Sequence, residues 1–262
     1  MTRATLLFVA LLVIALGVTS AYPRDPFAED DPVAEKEKLP ADPEVVAVED
    51  DKAKEMLEAL DEVSGSRDSN LIIVALEPFV TSRNEDFLKP LEKLTKHRDH
   101  AVRIMAVKAL GSQEPQKKVG MALLKILTSR QNKDVPGVLA MAVSSLRRVK
   151  FDHPRVMKEL ESHFVKNMHP PVMAECARYF GEMKKYEMVK KMVEWIEAPQ
   201  PASVNSPSNP PASYWKRMWE IWEAMKLPIR VGLKTMTGKD YPTVAQWKNW
   251  LDSREARELG IR

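Results

Sequence analysis

One cysteine, Cys176, stands among 262 residues. A lone thiol cannot close an internal disulfide, so this fold must be held by a sizeable packed core rather than a cysteine framework. Glycine is scarce, with nine in all, and aromatics make up 7% of the chain; both argue against an all-β fold, whose turns and sheet faces draw on them. After residue 18 no apolar run approaches the roughly 20 residues that a membrane-spanning helix needs. No Gly-x-Ser-x-Gly, HExxH, phosphate-loop or haem CxxCH sequence occurs. The sequence therefore offers no catalytic residue, no cofactor-binding residue and no metal ligand, and it reads as a non-enzyme. His97 and His100 have two residues between them in one turn, and His163 and His169 have five between them across another; zinc asks for three or four ligands at recognisable spacing. The five histidines are read as surface turn histidines.

The N-terminus has the parts of a secretory signal: Arg3, an apolar run from Ala4 to Val18, and small residues Thr19, Ser20 and Ala21 before a cut. A signal peptide over residues 1–21, cleaved after Ala21, is expected, and with it an exported, periplasmic or extracellular protein without stable membrane insertion. No cysteine near the cut could carry a lipid. Residues 22–48, rich in Pro, Asp and Glu, read as an acidic disordered tether. Charge divides the chain: residues 22–65 carry 15 acids and 5 bases, whereas residues 66–262 carry 34 bases and 22 acids. An acidic arm is joined to a basic body, and the arm could also lie on that body and inhibit it.

From residue 49 the apolar residues follow helical spacing. Phe87, Leu88, Leu91 and Leu94 form one stripe, and Val102, Ala106, Ala109 and Leu110 another, with Asp99 as N-cap and Gly111 as stop for the second helix. The pattern returns. Val102, Ala106 and Leu110 are matched by Val138, Ala142 and Leu146, and then by Val172, Cys176 and Phe180; Leu91, Leu127 and Leu160 precede the valines by 11, 11 and 12 positions. Ile72 and Leu76 mark a weaker earlier copy. The second helix of each pair is apolar nearly all round, so it must be covered on several sides, as it would be in a stack of hairpins. Cys176 falls where Ala106 and Ala142 fall, a small-residue packing position where a thiol is inert.

Residues 86–199 resemble HEAT repeats. In that family a turn Asp, a Val-Arg pair and small residues open the inner helix, and Asp99, Val102 and Arg103 match them. Leu139 and Met173 replace the Arg in the later copies, and His169, Pro170 and Pro171 replace the third turn. The resemblance implies an all-α, right-handed alpha-alpha superhelix, a HEAT-like solenoid over residues 49–197. Five prolines make 198–212 a Pro-rich loop inserted in a fourth hairpin. Residues 213–262 then supply a final helix, capped by Ser213 and bearing Trp215, Trp219 and Trp222, followed by a short helix, a Gly238 stop and a last helix with Trp247 and Trp250: a Trp-rich C-terminal cap. The ending Gly238, Asp240, Tyr241, Trp247, Trp250 resembles that of exported HEAT-repeat proteins of planctomycete-type bacteria.

Inner helices of such arrays line a concave surface, and here they carry Arg103, Lys108, Arg147, Arg148 and Arg178. These five are the candidate partner-binding residues. The expected function is a non-catalytic scaffold or adaptor outside the cytoplasm that holds another exported protein, or an acidic peptide or polymer, on that surface. Nucleic acid is disfavoured by export and by a net charge of only +3. A HEAT-like lyase, or an accessory subunit of an exported enzyme, is the alternative.

Overall fold

The apolar stripes condense into helices wherever a cap or a proline can start one. In this computed structural model, which describes residues 44–167, 169–200 and 209–261, twelve α-helices are found among the described residues: α1 (Asp50–Ser64), α2 (Ser69–Thr81), α3 (Leu88–Leu94), α4 (His100–Leu110), α5 (Gln116–Thr128), α6 (Pro136–Arg148), α7 (Pro154–Ser162), α8 (Pro170–Glu182), α9 (Val189–Val193), α10 (Ala212–Thr237), α11 (Val244–Leu251) and α12 (Arg254–Glu258). The Asp68 and Asp99 carboxylates accept from Asn70 N–H and Ala101 N–H at the starts of α2 and α4. Pro136, Pro154 and Pro170 each open a helix at a position whose N–H has no partner inside the helix. Thr243 and Gln246 close a reciprocal capping box on α11. The chain is mostly helical, in keeping with an all-α fold.

The second helix of each pair packs on the next, so α2 lies on α4, α4 on α6, α6 on α8, and α8 on α10. Each of α1, α3 and α5 packs on the helix that follows it, while a short π-helical turn, His163–Asn167, joins α7 to α8 and packs on both. The positions matched by period share one environment: Val102, Val138 and Val172, the small trio Ala106, Ala142 and Cys176, and Leu110, Leu146 and Phe180 are all fully buried. Ile72 and Leu76 of the weaker copy are buried with them. A single apolar cluster runs from Ala53 to Ile261. Chain contacts divide the sequence after Asp31, and every described residue belongs to the unit Pro32–Arg262. No helix among the described residues is long and apolar enough to cross a membrane.

Three readings of the sequence are corrected. Val46 and Ala47, assigned to the tether, form strand β1 (Val46–Ala47) and pair in parallel with β2 (Ser82–Arg83), because Val48 N–H donates to the Arg83 carbonyl and Asn84 Nδ2 to the Val48 carbonyl. The separate short helix expected just before Gly238 is the end of α10, which runs through the buried Pro228 without a break. Ser213 lies in its first turn, with Pro211 at the N-cap position. α4 does stop at Gly111, as read, though with φ −65° rather than left-handed; the missing Cβ makes room for Ser145 of α6, whose Oγ would lie 2.5 Å away from one. Gly238, in contrast, does end α10 left-handed, at φ 71°. The signal segment 1–21, most of the tether and residues 201–208 of the Pro-rich loop lie outside the described residues.

Candidate functional site

The five cations singled out by sequence do not share one open surface. Arg103 is buried, 2% exposed, in a row with Leu139 and Met173 at the matching positions of α6 and α8. It cannot offer its charge to a partner without moving. Arg147 donates to the Glu182 carboxylate at 2.5 Å and stands 3.9 Å from Glu175, while Arg178 donates to Glu175 at 2.6 Å. Arg147 thereby ties α6 to α8, whereas the bond from Arg178 to Glu175 lies within α8. Arg148 donates to Ser112 Oγ at 2.9 Å, and that hydroxyl donates in turn to the Val80 carbonyl. Lys108 is half-exposed on α4.

These bonds belong to a ladder between repeats that the HEAT pattern did not foretell, since its residues differ. Ser69 donates to Asp99 at 2.6 Å, which holds that carboxyl below the usual range. Gln113, buried, donates to the carbonyls of Phe79, Ser82 and Ala109 and accepts from Asn84 N–H. Ser145 donates to the Val107 carbonyl, and Tyr179 to that of Phe151. Ion pairs continue it through Arg83 with Glu114, Lys185 with Asp152 and Lys191 with Glu161. The rungs that cross from one repeat to the next join residues 28 to 38 apart, the repeat distance. Sequence reasoning missed these residues because Ser and Gln carry no periodic signal of their own.

Cys176 and His163 both lie inside the core. Cys176 is fully buried, and burial pushes its thiol far above the usual range, which keeps it protonated and non-nucleophilic. His163 is buried in the π-helical turn, correcting its assignment to the surface; its imidazole is bonded to the Leu127 backbone, and loss of hydration lowers its pKa. No group of three His, Cys, Asp or Glu side chains able to hold a metal ion is found among the described residues.

The solvent-facing side offers grooves between consecutive first helices. One of about 370 Å³ lies between α1 and α3, lined by Leu57, Leu60, Lys89 and Lys93. A second, of about 630 Å³, lies between α3 and α5; Lys89, Lys117, Lys118, Lys125 and Met121 line it together with Glu85, Asp86 and Glu92. A smaller depression continues it past Lys96 and Lys125 to Asn132. A fourth, of about 570 Å³, separates α9 from α11. Residues 88–133 hold eleven Lys and Arg against three acids. Of those acids, Asp99 is engaged by Ser69 and Ala101, and Glu114 by Arg83. Lys89, Lys93, Lys96, Arg98, Lys117, Lys118, Lys125, Arg130 and Lys133 are exposed, and none has a carboxylate within ion-pair distance among the described residues. Lysines elsewhere are often paired: Lys52 with Glu55, Lys226 with Glu223, and Lys239 with Glu255. The densest run of exposed cations without an ion pair thus sits on α3, α5 and their turns, although Lys158, Lys190, Lys216 and Lys248 are also exposed without one.

Comparison of the chain with protein-family models, with curated proteins and with solved structures finds no match in any of the three.

Proposed function

We propose that this chain is a non-catalytic interaction scaffold acting outside the cytoplasm, a HEAT-like solenoid of helical hairpins with a Trp-rich C-terminal cap. The observation that carries this reading is the succession of grooves between α1 and α3, α3 and α5, and α9 and α11, set on a row of second helices bonded repeat to repeat. Such grooves suit an extended partner that crosses several helices. The second-helix arginines favour this division of roles: Arg147 and Arg148 are bonded to neighbouring helix pairs, Arg178 is paired within α8 and Arg103 is buried, leaving the first helices to meet the partner. Trp222, Trp247 and Trp250 are buried at the C-terminal end, where they would seal the last apolar face. Export rests on residues 1–21, and N-terminal sequencing of the protein from the cell exterior should begin at Tyr22.

The test is purification of the full chain from the envelope of its own cell under mild cross-linking. A partner polypeptide in fixed ratio, persisting through size-exclusion chromatography, supports the scaffold. A chain that elutes alone and uncrosslinked overturns it.

A further inference from the structure

We propose that the groove between α3 and α5 is a docking site for an acidic, extended segment of a partner polypeptide, with its carboxylates on Lys89, Lys117, Lys118 and Lys125 and an aliphatic side chain over Met121. This rests on the scaffold reading and names the chemistry of its partner.

Three observations lead there. The groove has the volume of a few side chains, about 630 Å³, within the range of specific sites. Its cations come from two helices, Lys89 from α3 and Lys117, Lys118 and Lys125 from α5, so they converge on one trough rather than scatter around a single rod. They also lack acidic partners within the fold, whereas Lys185, Lys191 and Lys239 have theirs. Exposed ammonium groups keep their hydration when alone, and because Glu85, Asp86 and Glu92 of the same groove form no ion pair with them, an incoming carboxylate has no ion pair to displace.

The groove's other residues select among anions. Glu85, Asp86 and Glu92 line it beside the four lysines. A polymer with a charge on every unit would press like charge against them, whereas a peptide can set an amide or a basic side chain there. All the cations lining the groove are lysines. The planar guanidinium forks that match phosphate and sulfate bidentately are absent from its lining. Met121 contributes a polarizable, adaptable surface suited to an aliphatic side chain. From Lys117 to Lys125 the helix rises about 12 Å, which about four extended residues span.

The probe is a fluorescein-labelled octapeptide in which glutamates alternate with glutamines around a central leucine, read by anisotropy with the full chain at about 50 mM salt, where screening is weak. Binding should weaken by about tenfold in Lys117→Gln/Lys118→Gln/Lys125→Gln, the combined effect of three exposed pairs. It should change little in Lys190→Gln/Lys248→Gln, whose lysines line the α9–α11 groove. An unchanged circular dichroism spectrum establishes that the variants fold, and replacing the peptide's leucine by glutamine should cost several-fold. The proposal is overturned if the octapeptide fails to bind, if both variants lose affinity equally, or if a heparin oligosaccharide binds through the same lysines while the octapeptide does not. It is likewise overturned by self-association that the triple variant abolishes, which would give the groove to a second copy. Lysine-dependent peptide binding without a co-purifying partner sinks the scaffold and leaves the groove; a partner retained equally by the triple variant sinks the groove and leaves the scaffold.

Discussion

Two glycines decide how closely α8 and α10 approach. A Cβ on Gly181 would stand 2.7 Å from Gly232 Cα, and one on Gly232 would stand 2.6 Å from the Ala177 carbonyl oxygen. Both obstacles are backbone, which cannot rotate aside. Gly232→Ala is expected to cost about 1–3 kcal/mol by overpacking, read from urea denaturation; a change under about 0.5 kcal/mol would mean that the helices can part freely. Neither glycine was legible in the sequence, because the atoms that require it belong to another helix. Cys176 was legible, since its period placed it with Ala106 and Ala142. His163 was not: the sequence shows it near a turn but not that the turn is π-helical and covered. Burial holds its imidazole below the ordinary value, with Glu159 opposing and His169 reinforcing that shift. The unfolded chain therefore binds more protons between the two values, so this contribution to stability is complete above the ordinary imidazole range and is lost as pH falls through it. The melting temperature should drop between about pH 7.5 and pH 5.5, and His163→Gln should flatten that slope. An unchanged slope would show that His163 is not its source.

At the scale of helices, stripe and cap residues located most of the chain, while boundaries escaped where a neighbour overrides a local rule. Pro228 should stop a helix, since it lacks a donor and crowds the preceding turn. Inside α10 it is buried, and the helix continues because Met225, Ile229, Leu233 and Met236 on either side are buried too. Likewise β1, although Val46 suits a strand, is too short to stand alone; a bond from Val48 N–H to the Arg83 carbonyl orders it. Gln113 serves three carbonyls from the ends of α2 and α4. Gln113→Leu would leave buried acceptors unpaired and should cost about 1–3 kcal/mol. That is more than Gln131→Leu should cost, since Gln131 donates to the Lys96 carbonyl at an exposed rung. Equal costs in denaturant melts would show that the ladder contributes nothing beyond shape.

For the whole chain, the period was the informative signal and net charge the misleading one. A total of +3 conceals a stretch of eleven cations and three acids, and the second-helix arginines Arg103, Arg147, Arg148 and Arg178 are engaged or buried. Exposure cannot be read from residue type: Leu139 and Met173 at the matching positions already hinted that Arg103 faces inward. Because α8 is covered by α6 on one side and α10 on the other, removing residues 212–262 should expose its apolar face. The truncated chain is expected to aggregate or bind a hydrophobic dye, and a monomeric, dye-silent product would contradict that dependence.

The glycine seat also bears on the proline-bearing connection between Gln200 and Asn209. A rod lodged backbone against backbone takes its register from the notch, not from the cord that leads to it. Doubling the length of that connection should then cost only about 0.6 kcal/mol in closure entropy. It should leave the rod in the same socket, which makes this stretch the place where the gene can accept foreign sequence.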